Sequence, residues 1–286
     1  VKGNTILITG GSGYLGQGLV KYLIKTGVKH IRIFSRSEHK QLDMSKNFTD
    51  ERIDYLIGDV RDYKRLRLAM MGVDIVIHCA ALKCIEKGQS DPIEFIKTNV
   101  VGANNIVDCA LELKTPKIIG ISTDKACGDV INLYGATKLN ADMLFQAANN
   151  YNKNGKPEFI VVRYGNVIGS TGSVIPLWKK QKAEGKPITI TDPNMTRFII
   201  TLNEAVELIF HAIEKGKAGE IIIPELYACT IAHLAANFAP CYEQKIIGLR
   251  PGERMYEVLS DGKKTYRSDS CPRFTNQELR SMLNGI

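Results

Sequence analysis

The chain has 286 residues, with 38 Lys and Arg against 30 Asp and Glu, for a formal charge of +8. Hydrophobic residues make up 44% and charged residues 24%, which excludes a disordered or low-complexity chain. Unbroken apolar runs are short, as in Ile221-Ile222-Ile223, far below the roughly 20 residues that span a bilayer, so no membrane partner is expected.

The first apolar run is broken at Gly10-Gly11-Ser12-Gly13, which does not read as a signal segment. Seven cysteines, with no CxxC pair and no His at metal-ligand spacing, read as reduced thiols in a cytoplasmic protein without a metal. Lysines are spread along the chain and form no basic stripe with interleaved aromatics, so nucleic acid is not the expected partner. A solvated basic surface accounts for the surplus charge, as does a site for an anionic small molecule.

In chain order, Thr5-Ile6-Leu7-Ile8-Thr9 predicts a buried strand. Tyr14 to Thr26 predicts a helix, with Leu15, Leu19, Tyr22 and Leu23 at helical spacing and Gly27 closing it. Further strands are predicted at Ile31–Phe34, Tyr55–Ile57, Asp74–His78, Lys117–Ile121 and Phe159–Val162, with helices near 62–71, 92–112 and 134–150. This alternation predicts an α/β fold, a Rossmann-like doubly wound parallel sheet. After Tyr164 glycine and proline become denser, with a helix near 202–215, a strand near 220–223 and a helix near 230–238. The reading is a dinucleotide-binding domain over 1–164. Residues 165–286 form mainly a small substrate-binding lobe, with interleaved elements returning to the sheet.

Thr9-Gly10-Gly11-Ser12-Gly13-Tyr14-Leu15-Gly16 joins the first strand to the first helix. Glycines there permit a tight turn and close approach of a pyrophosphate, and a helix N-terminus offers free N–H groups, so Gly10, Ser12, Gly13, Tyr14, Leu15 and Gly16 are expected to bind a dinucleotide. The second strand ends in Ser35, Arg36 and Ser37, with Lys40 beyond, where an NAD enzyme usually carries a carboxylate. A guanidinium pairs with a 2′-phosphate and hydroxyls donate to it, which favours NADP. Asp59 and Val60 close the third strand, Asp59 as an acceptor for the adenine amino group. Ala80 and Ala81 close the fourth, small enough for the backbone to approach the cofactor.

Ser122-Thr123-Asp124-Lys125 ends the fifth strand, and Tyr134-Gly135-Ala136-Thr137-Lys138 begins a helix. Tyr134 and Lys138, four apart, share a helix face. Lys138 is expected to hold the nicotinamide ribose and lower the Tyr134 phenol from its usual ~10. Thr123 then positions a substrate hydroxyl, and the group suits proton removal during hydride transfer.

On these strings the chain resembles the extended short-chain dehydrogenase/reductases that act on nucleotide sugars. Within them it is most similar to the 4,6-dehydratases of UDP-N-acetylglucosamine that invert carbon 5. The resemblance runs from Ile6 to about Leu259 and includes Ala80-Ala81-Leu82-Lys83, Ile96-Lys97-Thr98-Asn99, Asn132–Lys138, Arg163-Tyr164-Gly165-Asn166-Val167, Gly172–Pro176, Met195–Phe198 and Arg250-Pro251-Gly252-Glu253. It implies that Val167 borders the cofactor. It implies a UDP-sugar substrate, with Lys83 near the sugar, Asn166, Val174 and Thr191 lining the cleft, Arg197 and Arg250 on the diphosphate, and Glu253 on a ribose hydroxyl. Asn99 is expected to organise backbone beside the site.

The discriminating pair is Asp124-Lys125, where retaining dehydratases of related sugars generally carry Asp-Glu and 4-epimerases lack the pair. The implied roles are Lys125 as base at carbon 5 and Asp124 as acid for the leaving 6-hydroxyl. A surface ion pair after a strand is the alternative for these two residues, and a 4-epimerase or a carbon-5-retaining dehydratase is the alternative activity. A homo-oligomer is also implied. Three departures stand out. The Lys125–Tyr134 segment is one residue longer than the family pattern and lacks its Pro. Cys84 replaces a His, ahead of an unusual Ile85–Gln89 stretch. The tail after Leu259 is short.

Overall fold

The computed structural model describes residues 1–152 and 155–285. Its first half alternates strand and helix: β1 (Thr5–Thr9), α1 (Tyr14–Leu23), β2 (His30–Ser35), α2 (Glu38–Asn47), β3 (Ile53–Ile57), α3 (Tyr63–Met70) and β4 (Ile75–His78). Next come α4 (Ile85–Ser90), α5 (Pro92–Phe95), a π-helical turn (Ile96–Val101), α6 (Gly102–Leu113), β5 (Lys117–Thr123), α7 (Leu133–Ala148) and β6 (Glu158–Tyr164). The rest comprises β7 (Asn166–Val167), α8 (Val174–Ala183), β8 (Ile188–Ile190), β9 (Thr196–Ile200), α9 (Leu202–Lys215), β10 (Ile221–Ile222), β11 (Ala228–Thr230) and α10 (Ile231–Phe238). It ends with β12 (Gln244–Ile246), β13 (Val258–Ser260), β14 (Thr265–Arg267) and α11 (Asn276–Asn284).

Seven strands form one parallel sheet in the order β10-β6-β5-β4-β1-β2-β3, the doubly wound arrangement. Side chains alternate across a strand, so β1 buries Ile6 and Ile8 on one face and Leu7 on the other. The first face packs against α1 through Leu19 and Leu23 and against α9 through Val206, Ile209 and Phe210. The second packs against α3, α6 and α7 through Leu66, Ile106 and Phe145. Thus α9 and β10, which follow the change of rhythm at Tyr164, return to the main layers. Elsewhere in the second half, β7, β9 and β11 form a small sheet, and Trp178, Ile188, Leu234 and Leu279 form a separate core.

Some boundaries differ from the sequence reading. The helix expected to reach Thr26 ends at Leu23. The expected 92–112 helix is α5, the π turn and α6 in succession. Helix α2 carries no apolar stripe, burying only Gln41 and Met44, so periodicity gave no sign of it; its start is set by Ser37, whose side chain accepts from the Lys40 N–H. The strand order reverses between β1 and β4, and the crevice at their carboxyl ends is where open α/β sheets bind ligands.

Candidate active site

One cleft of about 870 Å³ runs across those carboxyl ends. Every residue singled out above as catalytic, cofactor-binding or substrate-binding lines it except Asp124.

At one end the β1–α1 turn forms the wall. Gly10 has φ +67°, and a Cβ there would lie 2.9 Å from the Ala80 backbone, so only glycine lets the two strand ends meet. Gly13 is the N-cap of α1 and caps it with no side chain. Beyond β2, the Ser35 hydroxyl lies 2.9 Å from both Ser12 Oγ and Gln41 Nε2, so two residues far apart in sequence fix it at the cleft. The Arg36 guanidinium stands 3.8 Å from Asp59, half exposed and free to turn. Asp59 is already engaged, accepting from Arg61 Nε at 2.9 Å and Nη2 at 2.6 Å. Burial opposes its ionisation, but the Arg61 hydrogen bonds outweigh that and hold the carboxyl below its ordinary value. The backbone N–H of Ala80 donates to Thr9 Oγ1 at 3.3 Å. Asn99 grips Leu82 at both backbone groups, N–H at 2.8 Å and C=O at 2.9 Å, which is the organising role expected of it.

The centre of the cleft is built on the end of β5. Asp124 is fully buried, and its Oδ1 accepts from Thr123 Oγ1 at 2.9 Å. The Lys125 Nζ lies 2.9 Å from the same oxygen, 3.1 Å from Asn166 Oδ1 and 3.5 Å from Glu257 Oε1. Three acceptors thus surround the three N–H bonds of one ammonium. Asp124 itself sits behind Lys125 and Thr123, both of which line the cleft.

Helix α7 brings Tyr134 and Lys138 to the same place. Asn132 caps it, accepting from the Gly135 N–H at 2.8 Å. A Cβ at Gly135 would lie 2.2 Å from the Lys125 carbonyl oxygen, so the first turn of α7 rests directly on the Lys125 backbone. The extra residue in the connecting segment therefore does not part Lys125 from Tyr134. It is taken up in a loop with Gly128 at φ +62°, which Arg254 holds by donating to the Cys127 carbonyl at 3.1 Å and to that of Asp129.

The electrostatics correct one expectation. Burial pushes the Tyr134 phenol up, relieved by a hydrogen bond with Thr123, while Asp124 and Asp142 push it further. Lys138, one turn on, is buried as well. It is pushed down by its own burial and held up by Asp142. Lys83 is likewise pushed down, by burial first and then by the Lys125 ammonium facing it.

The remaining residues line the other end. Arg197 is buried, with Nη1 donating to its neighbour's carbonyl at 2.8 Å and Nε 3.6 Å from Glu257. Arg250 pairs with Glu253 at 2.6 Å and with Glu86 of α4 at 2.9 Å, so Glu253 is engaged by an arginine where a ribose hydroxyl was expected. Thr191, Val174 and Val167 complete this wall, Thr191 contacting the Met195 sulfur at 3.3 Å. Glu257 was missed by the sequence reading. It lies just past the Arg250–Glu253 string, and no spacing marks it; only the fold brings it to Lys125.

Comparison with known proteins bears on this geometry. The family described as polysaccharide biosynthesis protein matches residues 6–278. The UDP-N-acetylglucosamine 4,6-dehydratase (inverting) of Campylobacter jejuni subsp. jejuni serotype O:23/36 is 46% identical over 274 residues, covering 94% of this chain and 82% of that protein. A UDP-glucose 4-epimerase of Rickettsia conorii is 41% identical over 273 residues, covering 93% of this chain and 80% of that protein. Among solved structures, Pen from Bacillus thuringiensis superposes with a TM-score of 0.93 at 34% identity, covering 100% of this chain and 98% of that one. DesIV from Streptomyces venezuelae, a dTDP-glucose 4,6-dehydratase with NAD and TYD bound, shares the fold with a TM-score of 0.83 at 19% identity, covering 98% of this chain and 96% of that one. With a parallel sheet wound as expected and a family match across nearly its whole length, the chain belongs to the polysaccharide biosynthesis proteins of the extended short-chain dehydrogenase/reductases.

Proposed function

We propose that the protein carries out NADP-dependent 4,6-dehydration of UDP-N-acetylglucosamine with inversion at carbon 5. The product is UDP-2-acetamido-2,6-dideoxy-L-arabino-hex-4-ulose, for glycan biosynthesis. The observation that carries the reading is the Asp124–Lys125 ion pair, 2.9 Å at Oδ1 with a hydrogen bond of 3.2 Å to Oδ2, whose lysine lines the same cleft as Tyr134 and Lys138.

The walls suit a nicotinamide dinucleotide: the glycine turn closes against Ala80 with no room for a side chain, and Ser35, Arg36, Ser37 and Lys40 favour the 2′-phosphate of NADP. When bound, that group supplies the acceptor for the carbon-4 hydride and later the donor of hydride to carbon 6.

The chain's own residues move the protons. Tyr134 takes the 4-hydroxyl proton as a phenolate, the form that the Lys138 ammonium on the ribose would favour, with Thr123 aligning the hydroxyl. Oxidation at carbon 4 acidifies the hydrogen on carbon 5. Lys125 passes one proton to Asp124 across their hydrogen bond and becomes a free amine. The amine removes the carbon-5 proton, while Asp124 gives its own to the departing 6-hydroxyl. Thr123 links Asp124 to the cleft, because its hydroxyl both bonds the carboxylate and lines the wall. The pair ends as it began, Lys125 as ammonium and Asp124 as carboxylate. A proton then reaches carbon 5 from the opposite face, balanced by the one Tyr134 took up, which returns to carbon 5 directly or by exchange with solvent. Arg197 and Arg250 serve the diphosphate, and Lys83 the sugar.

The proposal includes a cytoplasmic location, which seven unpaired cysteines favour. It also includes a homo-oligomer, for which Ile93, Val101 and Met143 offer exposed apolar side chains on neighbouring helices. Among the described residues no helix is long and apolar enough to cross a membrane, and no His, Cys, Asp and Glu group is gathered to hold a metal.

The test is incubation with UDP-N-acetylglucosamine, without added cofactor, in deuterated water. The expected product has lost one water, carries deuterium at carbon 5 and has that centre inverted by NMR. Product of unchanged mass would point to the second reading, a 4-epimerase, which the Rickettsia relative's name brings forward.

A further inference from the structure

Glu257 is 3% exposed, lines the cleft, and has one carboxylate oxygen, Oε2, with no hydrogen-bond partner. The other oxygen faces two cations, Lys125 Nζ at 3.5 Å and Arg197 Nε at 3.6 Å. A buried carboxylate is costly unless cations compensate it, so its presence at this point calls for a reason.

The reason is not the fold of the C-terminal segment. That segment is held by the Glu257 backbone, whose N–H donates to Ser268 Oγ at 2.8 Å and whose carbonyl accepts from the Ser268 N–H at 2.9 Å. These bonds survive any change of side chain. The Glu257 carboxylate is spent on the site alone.

We infer that Glu257 is a positioning residue for Lys125: with Asp124 it holds the ammonium at the cleft wall, and so retains on the pair the proton that Asp124 gives to the leaving 6-hydroxyl. The inference rests on the reading of Lys125 as the carbon-5 base. Two anions face the amine, Asp124 from the end of β5 and Glu257 from the segment before β13. Of the nearby cations, Lys83 from the loop after β4 faces Lys125, while Arg197 from β9 and Arg254 from the segment that carries Glu257 act on Glu257 itself. Tyr134 of α7 adjoins Asp124 from the other side. The two carboxylates favour the ammonium, so removing the charge of Glu257 favours loss of its proton. Burial pushes the Glu257 carboxyl up, while Lys125 and Arg197 hold it down, which ties its charge to theirs.

The experiment compares wild type, Glu257→Gln and Glu257→Asp as the full chain. Reductive methylation with formaldehyde and a borohydride needs the unprotonated amine, so its rate at Lys125, read by peptide mass spectrometry from pH 6 to 10, reports the titration without any substrate. Glu257→Gln is expected to move the Lys125 profile down by about one pH unit, a roughly tenfold rise in free amine at a given pH below the midpoint. Glu257→Asp keeps the charge at a longer distance and should move it the same way by less, and it carries the test alone if the glutamine variant does not fold. The alkaline limb of kcat for the dehydration should move down with the methylation profile, because Asp124 has a proton to give only while the pair holds one, with KM little changed. A Lys125 profile that superimposes on wild type in every folded variant overturns the inference. Absence of dehydration by the wild type would overturn the proposed activity and leave the methylation readout intact, so the two failures are told apart.

Discussion

The carboxylate of Asp124 lies 2.9 Å behind the ammonium of Lys125, fully buried, while the ammonium faces the cleft. Neighbours in sequence thus occupy two depths, Lys125 at the wall and Asp124 beneath it, with the Thr123 hydroxyl joining the buried carboxylate to the cleft.

Lys125→Ala is therefore expected to abolish loss of water while nucleotide binding persists. The change also leaves Asp124 buried without its cation, which typically costs about 3–5 kcal/mol, so the variant should melt well below wild type. Mass spectrometry of the product, cofactor titration and a thermal melt check the three parts. Dehydration at the wild-type rate would contradict the assigned role.

Arg36→Ala should weaken NADP at least roughly tenfold and NAD much less, since only the 2′-phosphate offers the guanidinium a charged partner. The Arg36–Asp59 pair, at 3.8 Å and half exposed, offers little resistance to turning toward a phosphate. Fluorescence titration with NADPH and NADH reads both affinities. Equal losses would remove the phosphate contact from the account.

The parts of the site legible in the sequence are those fixed by local chemistry. The glycine turn, the hydroxyls and arginine after β2, and Tyr134 with Lys138 one turn on all follow from neighbours within a few residues. Helix α2 was not legible, because its ten residues bury only Gln41 and Met44, and yet Gln41 orients Ser35. Glu257 was not legible because its partners Lys125 and Arg197 lie 132 and 60 positions away, in the turn after β5 and on β9, and only the closed fold brings them together. Spacing gives Tyr134 and Lys138 a shared helix face but says nothing of burial, which pushes the phenol up here.

His78 adds a pH dependence unrelated to the chemistry. Its Nδ1 lies 2.8 Å from Thr9 Oγ1 in the sheet, and burial, aided by the Lys138 charge, pushes the imidazole down to about 3. The unfolded chain takes up a proton at His78 below about pH 6.5, whereas the folded chain does not until near pH 3. Stability should therefore fall as pH drops through that window, by up to about 1.4 kcal/mol per pH unit from this residue. Carboxylates add their own losses further down, so the clean comparison lies between pH 5 and 6.5. Denaturant melts of His78→Asn should show a flatter dependence there than wild type. Parallel curves would mean that His78 is charged in the folded protein.

Gly135 controls the distance between the two proton-handling groups. Its place on the Lys125 carbonyl, with 2.2 Å for a Cβ, leaves the backbone no slack. Gly135→Ala must lift the first turn of α7 off the turn that follows β5, and overpacking of this kind typically costs about 1–3 kcal/mol. The sheet and the glycine turn lie outside the strained contact, so cofactor affinity should change little. Tyr134 moves relative to Lys125, so kcat should fall at least roughly tenfold, because proton transfers tolerate little misplacement. Ala136→Ser, at an exposed position one residue on, is the control and should leave kcat near wild type. If Gly135→Ala turned over at the wild-type rate, the direct seat of α7 on Lys125 would not be what sets the geometry of the site.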